Sequence, residues 1–271
     1  MNLTDRLGFE ADLNLQTGEI SFGEVKPGLI RQRTLSDMYP VLAQTNPIIS
    51  PGLEGILNPE NDGALVHWLL RSIGDTPEIE ASGLKLDVTV VLPTPFGIEF
   101  PKTTGHYHLP LADGTRTPDF YQVVHGEGVI MLQREDMPGI NAYVVRPEIM
   151  QHIVIPPWMG HLTINTGDVP LVFANICTRG PHLDYRPYLD RHGAAYYLLN
   201  RNGVETFIPN PAYKNVPPLE ELSPNGSMGL DNPELPFYPI LRGSPRKLRF
   251  LTHPSEYLDR FKHSLKKSPK R

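Results

Sequence analysis

Seven short segments between residues 84 and 178 constrain the fold more than any other feature of the chain. Each is rich in β-branched and aromatic residues and is bounded by Gly, Pro or Asp. The segments are LKLDVTVVLP, DFYQVVHG, GVIMLQRE, NAYVVRP, QHIVIPP, HLTINTG and PLVFANICT. Such runs are typical of β-strands, and seven in succession predict an all-β-dominated sandwich or barrel. The 29 prolines and 23 glycines among the 271 residues fit the many chain reversals of such a fold.

The regions that flank these segments contain both helix-like and strand-like patterns. TLSDMYPVLAQ contains a helix-start pattern, and GALVHWLLRSIG is apolar at helical spacing, which predicts a helix that ends at Gly74. After the seven segments, AAYYLLNRNG and VETFIPNP are joined at Asn202-Gly203. An Asn-Gly pair between two strand-like runs predicts a β-hairpin.

The composition changes again near residue 212, where the chain becomes rich in Pro and Asn. We expect an extended arm there, followed by an amphipathic helix in HPSEYLDRFKHSLKK. The apolar stripe of that helix comprises Tyr257, Leu258, Phe261 and Leu265. The predicted organisation is a first domain at residues 1–213 and an arm with a C-terminal helix at residues 214–271.

The charge and the cysteine content narrow the class of protein. A net charge of -5 and a pI near 6.1 argue against nucleic acid as the main partner. Cys177 is the only cysteine, so neither a disulfide within the chain nor a zinc site of several cysteines is possible. The N-terminal stretch MNLTDRLGFEADLNL has no apolar signal-peptide core, and no run of about 18 apolar residues occurs. We expect a cytoplasmic protein with no membrane span.

The motif TTGHYH places two histidines two residues apart. Because residues i and i+2 of a strand face the same side, His106 and His108 should project together and Tyr107 should face the opposite side. An antiparallel return after the polar loop LPLADGTRTP would bring the carboxylate of Asp119 alongside them, and His161 offers a third imidazole. Three histidines and one carboxylate predict a divalent metal site. An isolated His-x-His pair also arises by chance, so the surrounding spacing is decisive.

That spacing resembles the two-part cupin signature. His-x-His, a carboxylate, Gly126, a strand, a proline-led turn, His161 and the turn residue Asn165 follow in the order of the signature. The motifs RTLSDM, VTVVLP, TTGHYH, DFYQVVHGEGVIMLQ, VIPPWMGHLTINTGDVPLVF and HLDY together resemble the cupin-type glucose-6-phosphate isomerases of archaea and some bacteria. This resemblance covers about residues 10 to 213.

The resemblance implies a cupin double-stranded β-helix (a jelly-roll barrel) with N-terminal and C-terminal helical or extended additions. It also implies a homodimer with one divalent ion (Fe, Mn, Zn or Ni) per subunit. The activity it implies is interconversion of glucose 6-phosphate and fructose 6-phosphate, a step of glycolysis and gluconeogenesis. A divalent cation suits this reaction because it polarises the carbonyl and stabilises an enediolate.

Residue by residue, the resemblance implies His106, His108, Asp119 and His161 as metal ligands. It implies Asp119 and Tyr185 as catalytic residues. The residues implied to bind the sugar phosphate are Thr89, Thr103, Gly105 and Tyr121.

Two departures from the family leave alternatives open. The family has a glutamate where this chain has the shorter Asp119, which is therefore a ligand, a general base or neither. Trp158 stands where the family has a tyrosine and would keep an aromatic wall beside His161. The competing functions are a cupin dioxygenase or decarboxylase, and a sugar-phosphate-binding protein without turnover.

The remaining candidate residues are interpreted structurally. We expect His152 on a strand surface, His67 and Trp68 in a helix that belongs to the core or to an interface, and Cys177 as a buried, inert thiol.

Overall fold

The seven strand-like segments all form β-strands in the computed structural model of the chain. The structure describes residues 1–46, 48–49, 62–136, 139–180, 183–226, 228–230 and 234–269. The strands are β1 (Ala11–Leu13), β2 (Ile20–Phe22), β3 (Pro27–Thr34), β4 (Leu65–Ile73), β5 (Leu84–Val91), β6 (Tyr107–His108), β7 (Asp119–His125), β8 (Gly128–Asp136), β9 (Gly139–Val145), β10 (His152–Ile155), β11 (Gly160–Asn165), β12 (Leu171–Thr178), β13 (Leu183–Asp184), β14 (Tyr196–Arg201), β15 (Val204–Pro209), β16 (Glu220–Pro224) and β17 (Leu265–Lys267).

The helices are short and lie outside the central strands. The α-helices are α1 (Thr4–Leu7), α2 (Leu35–Met38), α3 (Pro77–Ala81), α4 (Arg186–Leu189), α5 (Phe237–Gly243), α6 (Arg249–Thr252) and α7 (Leu258–Phe261). Single turns of 3-10 helix occur at Tyr39–Val41, Ala43–Thr45, Pro245–Leu248 and Pro254–Tyr257. Within the described residues, no helix has both the length and the apolar character that a membrane crossing requires.

Two large sheets form the barrel. One has the strand order β10-β7-β12-β5-β4-β3 and the other has the order β11-β8-β9-β16-β17. Neighbouring strands in these sheets run antiparallel, apart from the parallel pair β9 and β16. Tyr121 and Phe173 of the first sheet share one buried cluster with Ile130 and Leu132 of the second, so the sheets pack face to face. This is the predicted all-β cupin architecture, and the fold class is confirmed.

The predicted hairpin is also present. Strands β14 and β15 pair from Tyr196 opposite Pro209 to Arg201 opposite Val204. The two turn residues, Asn202 and Gly203, have φ values of 57° and 83°. Positive φ at both central positions is the type I′ geometry, which Asn-Gly adopts readily and which matches the twist of the strands.

One predicted helix is wrong. The segment GALVHWLLRSIG forms the strand β4, which pairs with β3 on one side and β5 on the other. Its apolar residues cover both faces of the sheet, because Leu70 is buried in the outer cluster whereas the neighbouring Leu69 lines the interior cavity. A strand buried on both faces loses the alternation of apolar and polar residues, so the hydrophobic pattern alone did not distinguish it from a helix.

The residues after 213 pack against the barrel. Strand β16 extends the five-stranded sheet, and Phe237, Phe250 and Phe261 share a cluster with Phe120 on the outer face of the six-stranded sheet. The predicted amphipathic helix is wrong, because residues 254–267 form a 3-10 turn, the short helix α7 and the strand β17. Within its predicted stripe, Phe261 is buried but Leu258 is exposed. The domain boundary at residue 213 stays a prediction.

Candidate metal centre and cavity

The His-x-His segment is held against strand β11. The backbone N–H of His106 donates to the carbonyl of His161 at 3.1 Å, and the N–H of His161 donates back at 3.0 Å. The rings of His106 and His108 lie parallel, with their centres 5.3 Å apart. Tyr107 faces the other way and packs beside Tyr188, as strand alternation predicts. The backbone pairing therefore brings three imidazoles together.

Asp119 reaches the same point from the opposite sheet, since it is the first residue of β7. Its Oδ2 lies 3.6 Å from Nε2 of His108 and 3.7 Å from Nε2 of His161. The ligand atoms of His106, His108, Asp119 and His161 all lie within 4.8 Å of one another. The structure thus brings together the four residues that the sequence analysis selected as metal ligands.

The chemistry of this cluster fits a metal ion. Nε2 of His108 and Nε2 of His161 are buried and make no hydrogen bond within the described residues. Buried polar atoms without partners are rare, and a cation between these atoms would satisfy them. Burial lowers the pKa of His161 to about 4, with a further contribution from His108, and burial and the neighbouring histidines hold the pKa of His106 well below 6.5. Neutral imidazoles are the form that binds metals.

Two polar residues that the sequence analysis missed orient the cluster. Oγ1 of Thr117 shares a hydrogen bond of 2.7 Å with Nδ1 of His108. Nδ2 of Asn175 donates to Oδ1 of Asp119 at 3.1 Å, which leaves Oδ2 facing the histidines. Such contacts fix the tautomer of a histidine ligand and the rotation of a carboxylate ligand.

A cavity of about 640 Å³ opens beside the cluster. His106, His108 and Asp119 line it, so the candidate metal site is accessible from this space. Every residue predicted to bind substrate lines the same cavity, as does the predicted catalytic tyrosine: Thr89, Thr103, Gly105, Tyr121 and Tyr185. The volume is in the range of small-molecule sites.

Gly105 and Thr103 shape the wall next to the histidines. Gly105 has φ +84°, and a Cβ placed there would lie 2.6 Å from the ring of Tyr188. Oγ1 of Thr103 accepts a hydrogen bond of 3.0 Å from the N–H of Thr163, which fixes the loop to β11. Only glycine fits the backbone conformation and the close approach at position 105.

The two tyrosines lie beside different histidines of the cluster. Tyr121 stacks on Phe173 at 5.1 Å and presents its ring to the edge of His161 at 5.5 Å. The ring centre of Tyr185 lies 5.6 Å from that of His106. Burial raises the pKa of Tyr121 well above 10, so its hydroxyl stays protonated.

Three other residues lie where the sequence analysis did not place them. His152 is buried rather than on a strand surface, and its Nε2 is 2.8 Å from the carbonyl of Leu235. Trp158 forms no wall of the cavity and packs instead near Phe261. His67 belongs to a strand rather than a helix and lines the cavity. Within the motif HLDY, His182 lies outside the described residues.

A jelly-roll barrel with three histidines and one carboxylate at a cavity defines the class of cupins with a candidate metal site. The family model described as Glucose-6-phosphate isomerase (GPI) matches residues 60–213. This match spans more than half of the chain, and the chain belongs to that family.

Relatives that carry the name glucose-6-phosphate isomerase match about half of the chain. The protein from Thermococcus onnurineus is 32% identical over 131 residues, which are 48% of this chain and 65% of that protein. The protein from Pyrococcus abyssi is 29% identical over 138 residues, which are 51% of this chain and 69% of that protein. This chain therefore spans about two thirds of the length of these relatives.

The solved structures that match share less sequence identity with the chain than these relatives do. A cupin-like protein from Thermotoga maritima is 19% identical with a TM-score of 0.28, covering 43% of this chain and 73% of that chain. An oxalate oxidase is 15% identical with a TM-score of 0.29, covering 41% of this chain and 49% of that chain.

Proposed function

We propose that the protein is a metal-dependent aldose–ketose isomerase that interconverts glucose 6-phosphate and fructose 6-phosphate. The observation that carries the proposal is the convergence of His106, His108, Asp119 and His161 beside a cavity lined with hydroxyl groups. Membership of the glucose-6-phosphate isomerase family supports this substrate pair.

The ligand set supports one divalent ion per subunit. Three imidazoles and one carboxylate suit Fe, Mn, Zn or Ni, since imidazole binds these metals well and a carboxylate offsets part of the charge. When bound, the ion would act as a Lewis acid toward the substrate carbonyl. In this proposal, Asn175 fixes the rotation of Asp119, so that Oδ2 of this side chain, one methylene shorter than glutamate, faces His108 and His161.

The remaining cavity residues would bind and orient the sugar phosphate. The hydroxyl groups of Thr89 and Thr103 and the backbone N–H of Gly105 are hydrogen-bond donors without bulk. Tyr121 and Tyr185 flank the cluster and would contact the sugar oxygens nearest the reacting carbons. Asp119 is assigned as the fourth ligand, and Tyr185 as a catalytic residue whose hydroxyl would donate a hydrogen bond to the sugar oxygen at the reacting carbon.

The proposal also includes a cytoplasmic location and a homodimer. Both follow from the sequence analysis and remain predictions. Sedimentation velocity on the purified protein would measure the oligomeric state, and a single species at the mass of one chain would contradict the dimer.

The variant His161→Ala tests the proposal directly. We expect it to lower both the bound metal, measured by mass spectrometry of the elements, and the conversion of fructose 6-phosphate, because it removes one of four ligands. His125→Ala is the matched control, since His125 lies outside the cluster and the cavity. Full metal content together with full activity in His161→Ala would overturn the assignment.

A further inference from the structure

Four basic residues line the cavity on the side of strands β3, β4 and β5: Arg31, Arg33, Arg71 and Lys85. The carboxylates among the described lining residues are Asp87 and Asp119. The cavity wall therefore carries more positive than negative charge even before a divalent cation binds. A positively charged, partly enclosed wall favours an anionic ligand.

Asp87 fixes two of these cations in place. Its Oδ2 accepts hydrogen bonds from Nη1 of Arg71 at 2.9 Å and from Nζ of Lys85 at 2.8 Å. Its Oδ1 accepts from the backbone N–H of Ser72 at 2.8 Å. One carboxylate neutralises only one of the two cations, so the trio of Arg71, Lys85 and Asp87 has a net charge of +1.

The surplus charge faces the cavity. The side chain of Asp87 is 1% exposed, whereas the side chains of Arg71 and Lys85 are 24% and 21% exposed. The carboxylate is thus covered, and its two partners keep free N–H groups toward the cavity. Charges are costly to bury, and a carboxylate that holds two cations at a ligand cavity orders their donors before the ligand arrives.

Lys85 and Asp87 lie on the same sheet as Asp119, two strands away from it. Lys85 on β5 is the register partner of Cys177 on β12, and Asp87 is the partner of Asn175. Asn175 in turn donates to Asp119 on the next strand, β7. Two strand spacings separate β5 from β7, which is roughly 10 Å. A sugar whose reacting end lies at the metal would direct its far end toward Arg71 and Lys85.

We propose that Arg71 and Lys85, held by Asp87, form the subsite that binds the phosphate dianion of the substrate. Thr89 lies two residues from Asp87 on β5 and lines the same cavity, so its hydroxyl adds a neutral donor. Guanidinium and ammonium groups bind phosphate through charge-assisted hydrogen bonds. This inference rests on the proposed function and makes these two cations the residues that select phosphorylated over free sugars.

The test uses inorganic phosphate as the probe and isothermal titration of the metal-loaded protein as the readout. Arg71→Met and Lys85→Met should each weaken phosphate binding by roughly tenfold to a hundredfold. Each variant leaves Asp87 with the other cation, so neither leaves it as an unpaired buried charge. Arg249→Met is the matched control, because Arg249 is also paired with a carboxylate, that of Glu256, but lies outside the cavity.

A third variant separates ligand binding from a merely structural role. Arg71→Lys keeps a cation beside Asp87, so phosphate should bind more tightly to it than to Arg71→Met. The same Arg71→Met and Lys85→Met variants should raise KM for fructose 6-phosphate while leaving kcat within a few-fold.

The outcomes distinguish this subsite from the proposed function. Weaker phosphate binding in both variants without isomerase activity in the unmodified protein would support the subsite and overturn the isomerase. Isomerase activity with unchanged phosphate affinity in both variants would overturn the subsite alone. Absence of phosphate binding to the unmodified protein would also overturn the subsite.

Discussion

Asn175→Leu is expected to weaken metal binding without touching any ligand. In the structure, the Asn175 amide donates to Oδ1 of Asp119, and Oδ2 is left 3.6 Å and 3.7 Å from the Nε2 atoms of two histidines. Leucine has a similar volume but no donor, so the carboxylate becomes free to rotate about its side-chain bond.

The size of the effect follows from the kind of hydrogen bond that is lost. A hydrogen bond to a charged group contributes about 1.5–3 kcal/mol. Because each 1.4 kcal/mol is a factor of ten, the Kd for the metal should rise roughly tenfold to a hundredfold. Loss of a group that orients a metal ligand has effects of the same size in other metal sites.

The assay is a competition titration of metal-free protein with Zn²⁺ or Mn²⁺ against a chelator of known affinity. Asn46→Leu is the matched control, since it removes a buried amide that bonds to Tyr197 and Asn210 instead of the cluster. That variant should lose stability in a melting experiment but keep the Kd for the metal. An unchanged Kd in Asn175→Leu would refute the role assigned to Asn175, because it would mean that Asp119 is oriented without this hydrogen bond.

Three further variants test separate parts of the site. Thr117→Val removes the partner of Nδ1 of His108 and should raise the Kd for the metal about tenfold in the same titration. Gly105→Ala forces a Cβ to within 2.6 Å of the Tyr188 ring at a positive φ, and should lower the free energy of unfolding by about 1–3 kcal/mol in a denaturant titration. Burial lowers the pKa of His67 from 6.5 to about 3, so below pH 6.5 the unfolded chain binds a proton that folded His67 does not. This costs the protein about 1.4 kcal/mol of stability per pH unit as the pH falls toward 3, and His67→Leu should abolish that component of the pH dependence.

A specific result would contradict each of these three predictions. If Thr117→Val binds the metal as tightly as the unmodified protein, His108 is oriented without its hydrogen bond to Thr117. A Gly105→Ala protein as stable as the unmodified one would mean that Tyr188 moves aside at no cost. For His67, the informative quantity is the stability difference between variant and unmodified protein, and a difference that is constant from pH 7 to pH 4 would contradict the assigned titration.

Local sequence patterns predicted most of the strands and the four clustered residues. The seven central segments are short, β-branched and bounded by turn residues, and these properties act within a few positions. The same holds for His106 and His108, because strand alternation alone places both on one face. Asp119 was selected because an antiparallel return after LPLADGTRTP would bring it beside the two histidines, and His161 because it offers a third imidazole. The resemblance to the cupin signature then supported both selections.

The missed features depend on contacts between distant parts of the chain. Strand β4 was misassigned since its pairing with β3 and β5 decides its conformation. Asn175 acts through Asp119, which is 56 positions away, and Arg71 acts through Asp87, which is 16 positions away. A polar residue inside the apolar run PLVFANICT was the available signal for Asn175, and it becomes meaningful only when β12 is placed beside β7.

The most direct measurement is a coupled assay of fructose 6-phosphate conversion to glucose 6-phosphate. It would be run on the protein as purified, after removal of metal with a chelator, and after addition of Fe, Mn, Zn or Ni. The account predicts that the chelator abolishes activity and that at least one of these ions restores it. Absence of conversion with every metal, in protein shown to bind the ion at one per subunit, would contradict the proposed isomerase.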